Sequence, residues 1–575
     1  MNNFIHQSIL FLSIFSVSIS TYAQGVFAPI NPDYYHLVDR YEILSGKFAP
    51  KIFTTYKAIL RKDIAGFADS LKADSNNFSK VDKFNISYLA NDNWEFFPDS
   101  LHIGNSKRKP ILKYLYQKQN AAISFRNNEF EFQINPVINF EQTTDNKSYP
   151  LSLNTRGVEI RGMIGKRLGF YTMLSDNQAF VHQYVANQMN MDPNATNVAF
   201  QGEGFTKSFV PTSKYFKNPN QNGYDFFSAR GYIYFNVIKQ ISIQFGHDKN
   251  FIGNGYRSMF LSDNSSKYLF LRAITKVWKL NYTNLFTEMT ATNISGNKYN
   301  PRKYLAMHHL GINITKNLNV GLFEAIMFQR NDSLTGNNGF ELNYLNPVIF
   351  YREVESYLGS LDKTTVGLDL KWNFLKHFSF YGQFGLHEFK LEKLMAQKGW
   401  WGNKYVWQVG LKYINVFGVK NLDLQLENNF ARPFAYADKN SYTGFTNYGQ
   451  PLAHPLGANF YEMIGIIRYQ PINRLSINPK IFYMVYGTDY DSTNYGGNLF
   501  KSYISRTMEE GNIVGQGNKN TVIFASINVS YMLFHNFFIE IRHTYRQHKS
   551  ASIQIADNFT TFGIRWNIAA RLHEF

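Results

Sequence analysis

Residues 560–568 read Thr560-Thr561-Phe562-Gly563-Ile564-Arg565-Trp566-Asn567-Ile568. Thr560, Phe562, Ile564, Trp566 and Ile568 alternate with Thr561, Gly563, Arg565 and Asn567. A strand points successive side chains to opposite faces, so this segment is apolar and aromatic on one side and polar on the other. Alone it fits any half-buried antiparallel strand. The same period of two recurs over most of the chain, which makes it decisive.

Val158, Ile160 and Ile164 oppose Glu159 and Arg161. Phe227, Ile233, Phe235 and Val237 oppose Ser228, Arg230 and Asn236, and Trp278, Leu280 and Tyr282 oppose Lys279, Asn281 and Thr283. Val366, Leu368, Leu370 and Trp372 oppose Gly367, Asp369 and Lys371; Leu422, Leu424 and Leu426 oppose Asp423, Gln425 and Glu427. Ile523, Ile527, Val529 and Tyr531 oppose Ser526, Asn528 and Ser530, while Phe537, Ile539 and Ile541 oppose Glu540 and Arg542. The polar faces carry both signs of charge, which a dry soluble core tolerates only when paired. A hydrated or hydrogen-bonded lumen accepts them, so the expected fold is all-β, a closed antiparallel transmembrane β-barrel.

Composition agrees. The 575 residues include 52 Phe and 38 Tyr but no cysteine, so disulfide staples and a lipid-modified cysteine are excluded. Residues 1–23 read as a cleaved signal peptide, with an apolar run from Ile9 to Ile19 and a small-residue site at Thr21-Tyr22-Ala23. No later stretch is long and apolar enough for a spanning helix. The net charge of +17 favours anionic partners, either an acidic surface polysaccharide or the phosphates of outer-leaflet lipid. The plain alternative is that these cations sit in solvated loops and lumen. Export and the lack of a dense Lys/Arg patch argue against nucleic acid.

The domain reading is a signal peptide at 1–23, an N-terminal periplasmic or plug-like helical region at 24–118, and the barrel at 119–575. Tyr34 to Leu44 and Thr55 to Leu71 carry helical periodicity, the second through Ile59, Leu60, Ile64, Phe67 and Leu71. Lys107-Arg108-Lys109-Pro110 reads as a solvated loop. Tight turns are expected at Asn127-Asn128, 165–168, 238–240, 315–317, 374–377, 415–421, 472–474 and 534–536. Long links are expected near 179–223, 248–267, 330–339, 389–403, 431–458 and 488–519. Short turns at one end and long loops at the other suit about 18 strands in an outer membrane, long loops outward.

The densest polar segment is Phe245 to Arg257. His247, Asp248, Lys249, Asn254, Tyr256 and Arg257 supply donors, one carboxylate and a ring that stacks on a sugar, and they are the candidate glycan contacts. The alternative is a loop folded into the lumen whose polar groups satisfy one another. Asn343, Asn346 and Arg352, in Phe340 to Arg352, are expected beside them in the lumen, unless this is only a strand edge ending at Pro347. Gly253-x-Gly255 lacks the strand-turn-helix setting of a nucleotide fingerprint. His308-His309 points to opposite faces of a strand and cannot share a metal. With no zinc-peptidase, EF-hand or nucleophile-elbow motif, no metal, cofactor or catalysis is expected.

Gly253 to Asn264, Lys303 to Leu310, Phe340 to Tyr351 and Tyr448 to Asn459 together resemble Wzi-type capsule assembly proteins. The likeness is to their Bacteroidetes branch, which includes RemB-like gliding motility proteins, and it covers roughly 120–575. It implies an 18-stranded outer-membrane barrel with a helical N-terminal part. The implied role is lectin-like retention of surface polysaccharide, linked to capsule assembly and gliding, without enzymatic activity. No ligand residues carry over from it. Two other readings stay open: a scaffold binding motility or secretion proteins, and a diffusion channel or outer-membrane hydrolase.

Overall fold

The computed structural model describes residues 25–73, 78–106, 113–145, 151–165, 167–189, 199–204, 206–209, 223–291, 301–329, 339–348, 350–358, 362–490 and 492–575. The expected signal peptide at 1–23, the cluster at 107–110 and most of the expected link at 330–339 lie outside them.

Eighteen long strands make one closed antiparallel ring. It begins with β1 (Phe130–Asp145), β2 (Leu151–Ile164), β3 (Leu168–Phe180), β4 (Gly223–Asn236), β5 (Ile241–Asp248) and β6 (Tyr268–Val277). It continues with β7 (Leu280–Thr290), β8 (Arg302–Asn313), β9 (Leu318–Phe328), β10 (Lys363–Phe374), β11 (Phe378–Glu388) and β12 (Lys404–Tyr413). It ends with β13 (Leu422–Ala431), β14 (Phe460–Ile472), β15 (Leu475–Thr488), β16 (Asn518–Phe534), β17 (Phe537–Lys549) and β18 (Gln554–Trp566). The seam pairs β18 with β1, Phe562 opposite Gln142 and Trp566 opposite Ile138. A short strand, 123–126, pairs β1 below the end of β18.

Closure satisfies the ladder without leaving an edge, which a strand structure in lipid requires. The alternation behaves as read. Phe562 is 52% exposed outside, whereas Thr561 and Arg565 are buried inside. An apolar outer belt on a closed ring marks this as an outer-membrane type of barrel.

Eight tight connections gather at one end: 165–167, 237–240, 278–279, 314–317, 375–377, 414–421, 473–474 and 535–536. All but one follow the expected turns. Trp278 and Lys279 were expected within a strand; they form a two-residue turn, with Trp278 at φ +50°. A second correction concerns Ile568. The strand stops at Trp566, Asn567 takes φ +54°, and residues 568–575 fold back into the lumen.

Three helices fill the short-turn end: α1 (Pro32–Ser45), α2 (Arg61–Ala73) and α3 (Lys80–Asp92). Asn31 caps α1 by accepting from the amides of Asp33 and Tyr34, and Gly46 ends it at φ +65°. Helix α2 starts at Arg61 rather than Thr55, because the backbone of Tyr56-Lys57 pairs with Phe251-Ile252 instead. Helix α3 was not expected; its signature is the capping box of Ser79 and Asp82.

Ion pairs bind these helices to the inner wall. Lys371 reaches Asp39 and Glu42, each at 2.9 Å, and Lys412 reaches Asp39 at 2.6 Å. Arg40 bridges Asp82 to Asp423, and Asp92 holds Arg61 at 2.7 Å and His535 at 3.0 Å.

The long-loop half of the lumen is filled differently, by an apolar core. Phe260 stacks on Phe323 with centroids 4.4 Å apart, among buried Met259, Leu261, Phe445, Leu452, Phe482 and Phe524. Side chains of this kind exclude water, so this half is a packed interior.

Candidate functional site

The glycine-rich loop after β5 enters the lumen. Gly253, at φ +146°, donates to the carbonyl of Thr55 at 2.7 Å, joining the loop to the N-terminal segment. Gly255 has no room for a side chain, since an added Cβ would lie 2.5 Å from Gln408 and 2.6 Å from Glu427. Both features follow from glycine's missing Cβ.

Four of the six loop residues proposed from sequence border one cavity: Asp248, Lys249, Tyr256 and Arg257. Glu427 accepts from the amides of Tyr256 (2.6 Å) and Arg257 (3.0 Å). The Tyr256 hydroxyl donates to Glu574 and receives Lys480 at 3.0 Å, while Arg257 reaches Glu462 and the Glu574 carbonyl. Lys249 donates to the carbonyl of Asp263 at 2.8 Å, and burial pushes its ammonium down to about 8. Most of these polar groups are therefore satisfied by the protein itself, which fits the lumen-filling alternative.

The other two are elsewhere. Asn254 is buried between Thr54 (3.0 Å) and Thr55 (2.9 Å), a structural tie. His247 points outward with Ile243 and Phe245, away from the lumen.

Asn343 and Arg352 also depart from the lumen expectation. Their segment packs on the outside of the ring. A short 3-10 turn, 342–345, and α5 (Tyr351–Leu358; α4 is Gln183–Met189 in the loop after β3) cover the outward faces of Tyr304, Ala306, Ile326 and Phe328. Tyr351 stacks on His308 at 4.1 Å, and the Tyr282 hydroxyl donates to the carbonyl of Pro347. The reason is an outward polar row, Asn284, His308 and Glu324, in register across β7, β8 and β9. Polar side chains at membrane depth need a cover, and this segment provides it. Asn343 is exposed and its side-chain amide donates to Glu341 at 2.7 Å; Arg352 lies on α5. His308 thus faces outward and His309 inward, where it meets Asp369 at 2.7 Å.

The cavity measures about 460 Å³ and lies between helices, loop and C-terminal segment. It reaches exposed Pro32, Asp33 and Arg474 at the short-turn mouth. At the other end it stops against Gln201, Glu203 and His573. Lys267 and Arg571 hold Glu203 down at about 2 against the upward push of burial.

A second candidate surface, missed from sequence, lies at the long-loop end. Links 389–403 and 489–517 are locked together: Gly511 donates to Lys398 (2.7 Å), Asn512 to Gly399 (2.9 Å) and Trp401 to Glu509 (3.0 Å). Arg432 fastens both through the carbonyls of Trp400 and Asn512. On this unit Trp401 sits 5.0 Å from Tyr503, with the Arg506 guanidinium 3.8 Å from its ring centroid. Its indole N–H donates to Glu509 at 2.7 Å, and half-buried Trp400 adjoins it. A fixed aromatic surface beside carboxylates and cations suits stacking and hydrogen bonding to sugar rings. The available signal was the Trp400-Trp401 pair between Gly399 and Gly402.

No family model matches the chain, and no curated protein matches it in sequence. Among solved structures it is similar to Wzi of Escherichia coli, described as an outer membrane protein involved in group 1 capsule assembly and a carbohydrate-binding β-barrel. That likeness has a TM-score of 0.56 at 11% identity, over 95% of this chain and 100% of that one. The fold is therefore Wzi-like. OprD of Pseudomonas aeruginosa overlaps less, with a TM-score of 0.41 at 9% identity over 76% of this chain and 94% of its own.

Proposed function

We propose that this protein is a non-catalytic outer-membrane barrel that retains surface polysaccharide at its long-loop end. The observation that carries the reading is a lumen blocked toward the long loops. Helices occupy one half and an apolar core the other, and the cavity between them reaches the short-turn mouth, so the loop platform is the surface left for a polymer outside the cell. Wzi, similar in fold, is described as carbohydrate-binding and involved in capsule assembly, which supports the same class of role here. The sequence resemblance to RemB-like proteins extends the proposal to gliding, since retained polymer alters contact with the substratum.

The test is binding of polysaccharide extracted from the producing cells to purified protein. Trp400→Ala and Trp401→Ala should each weaken it roughly tenfold, the loss expected for an aromatic anchor. Unchanged affinity in both variants would remove the platform from the account.

A scaffold for other surface proteins is the second reading, and one observation favours it. The outer segment leaves Val348 82% and Phe350 72% exposed. Irregular backbone at membrane depth is tolerated where protein covers it.

A further inference from the structure

The rim above β11 and β12 combines an outward aromatic band with an exposed basic and apolar segment next to the platform. On the outer wall Phe384, Tyr405, Phe430 and Trp407 form a band, with Tyr405 and Trp407 stacked on Phe430 at 5.9 and 5.4 Å. Aromatic bands of this kind sit at headgroup level. Directly above the band the chain leaves β11 as Phe389-Lys390-Leu391-Glu392-Lys393-Leu394-Met395, whose last five residues form α6 (Leu391–Met395).

Its apolar side chains are uncovered: Leu391 is 63% and Met395 74% exposed, with Phe389 and Leu394 beside them. Lys390 and Lys398 are exposed, neither has an ion pair among the described residues, and the Lys390 ammonium lies 5.3 Å from the centroid of the Trp400 ring. Lys393 has only exposed Glu510, at 3.4 Å. Exposed leucine and methionine interleaved with lysines, continuous with a lipid belt, match an interfacial lipid contact.

We propose that residues 389–398 dock a phosphate-bearing lipid of the outer leaflet. Its acyl chains lie on Leu391, Leu394 and Met395, and its phosphates lie among Lys390, Lys393 and Lys398. The proposal rests on the outward orientation of the long loops.

The probe is diphosphorylated lipid A added to purified, detergent-solubilised protein, with retained lipid read by native mass spectrometry. The triple variant K390Q/K393Q/K398Q should retain on the order of tenfold less. A control pair on the opposite rim, K239Q/K316Q, should retain as much as the unaltered protein. Leu391→Ser with Met395→Ser should also lower retention, and inorganic phosphate should not compete. Equal retention in the triple variant, equal loss in the control pair, or displacement by inorganic phosphate alone would each overturn the assignment. Circular dichroism of each variant separates lost binding from lost folding.

Discussion

Asp39→Ala should release the helical plug, weakening its docking by about 3–5 kcal/mol, the cost of stranding a buried charge. Asp39 is the single carboxylate shared by Lys371 (2.9 Å) and Lys412 (2.6 Å), both on the inner wall. Lys371 keeps Glu42 and Thr54 when Asp39 is lost, but Lys412 keeps no carboxylate among the described residues, just the carbonyl of Asn254 and the Tyr381 ring. The Asn variant should fall between, because it retains hydrogen bonds without charge. Hydrogen exchange resolved by segment measures this: amides of α1 to α3 should lose protection while the strands keep theirs. Unaltered protection of α1 would show that the pairs are not what holds the plug.

The pH dependence has a definite sign. Burial alone would raise the Asp39 carboxyl, but Lys371 and Lys412 outweigh it and hold the group well below the ordinary carboxylate range. A depressed native value means that the stabilisation is fully present above the ordinary Asp value of about 3.9. It is lost as pH falls through the lower native value. Plug docking through Asp39 should therefore be flat from neutral pH down to mild acid.

Glu427→Ala is the second large effect, and it acts on the other half of the lumen. This carboxylate accepts from the Tyr256 amide at 2.6 Å, the Arg257 amide at 3.0 Å and the Tyr381 hydroxyl at 2.8 Å. Gln408 and Asn429 complete its shell at 3.2 and 2.9 Å. Removing it orphans several buried donors at about 1–3 kcal/mol each before relaxation. The loop at 253–264 should detach from the wall. In planar bilayers the unaltered protein should carry no steady current, whereas the variant should show intermittent conductance as the loop opens the lumen. A silent variant would place the seal elsewhere, in the apolar core around Phe260.

The ring was legible because its signal is local and repetitive. Each spanning strand must show lipid one face and the lumen the other, so Leu422 to Glu427 alone shows which side chains face lipid and which face the lumen. The count followed from turns such as Ile472 to Arg474. Local pattern gave out where the chain leaves that constraint. Ile568 continues the alternation on paper, yet Asn567 turns the chain inward, because the strand has already paired to the end of its partner at Trp566. Tyr56 lies in a helical pattern, but its backbone is claimed by Phe251-Ile252, nearly two hundred residues away in sequence.

The site was less legible for the same reason. His247, Asp248 and Lys249 are adjacent, yet strand alternation sends His247 outward while Asp248 and Lys249 line the cavity. Arg257 appeared free for a ligand, and only the fold brings Glu462 and Glu574 to it. Phe340 to Arg352 looked like lumen lining because its polar and aromatic residues are mixed. The polar row it covers, Asn284, His308 and Glu324, comes from three different strands and has no signature in any one of them.

The most direct test compares surface polysaccharide in cells lacking this protein with that in complemented cells, separating cell-bound from released polymer with a labelled lectin. Polymer made in normal amount but shed into the medium is the result the account predicts, with retention restored by the unaltered chain. Retention unchanged while spreading fails would contradict it, and would leave the outer-wall segment at Val348 and Phe350 as the functional surface.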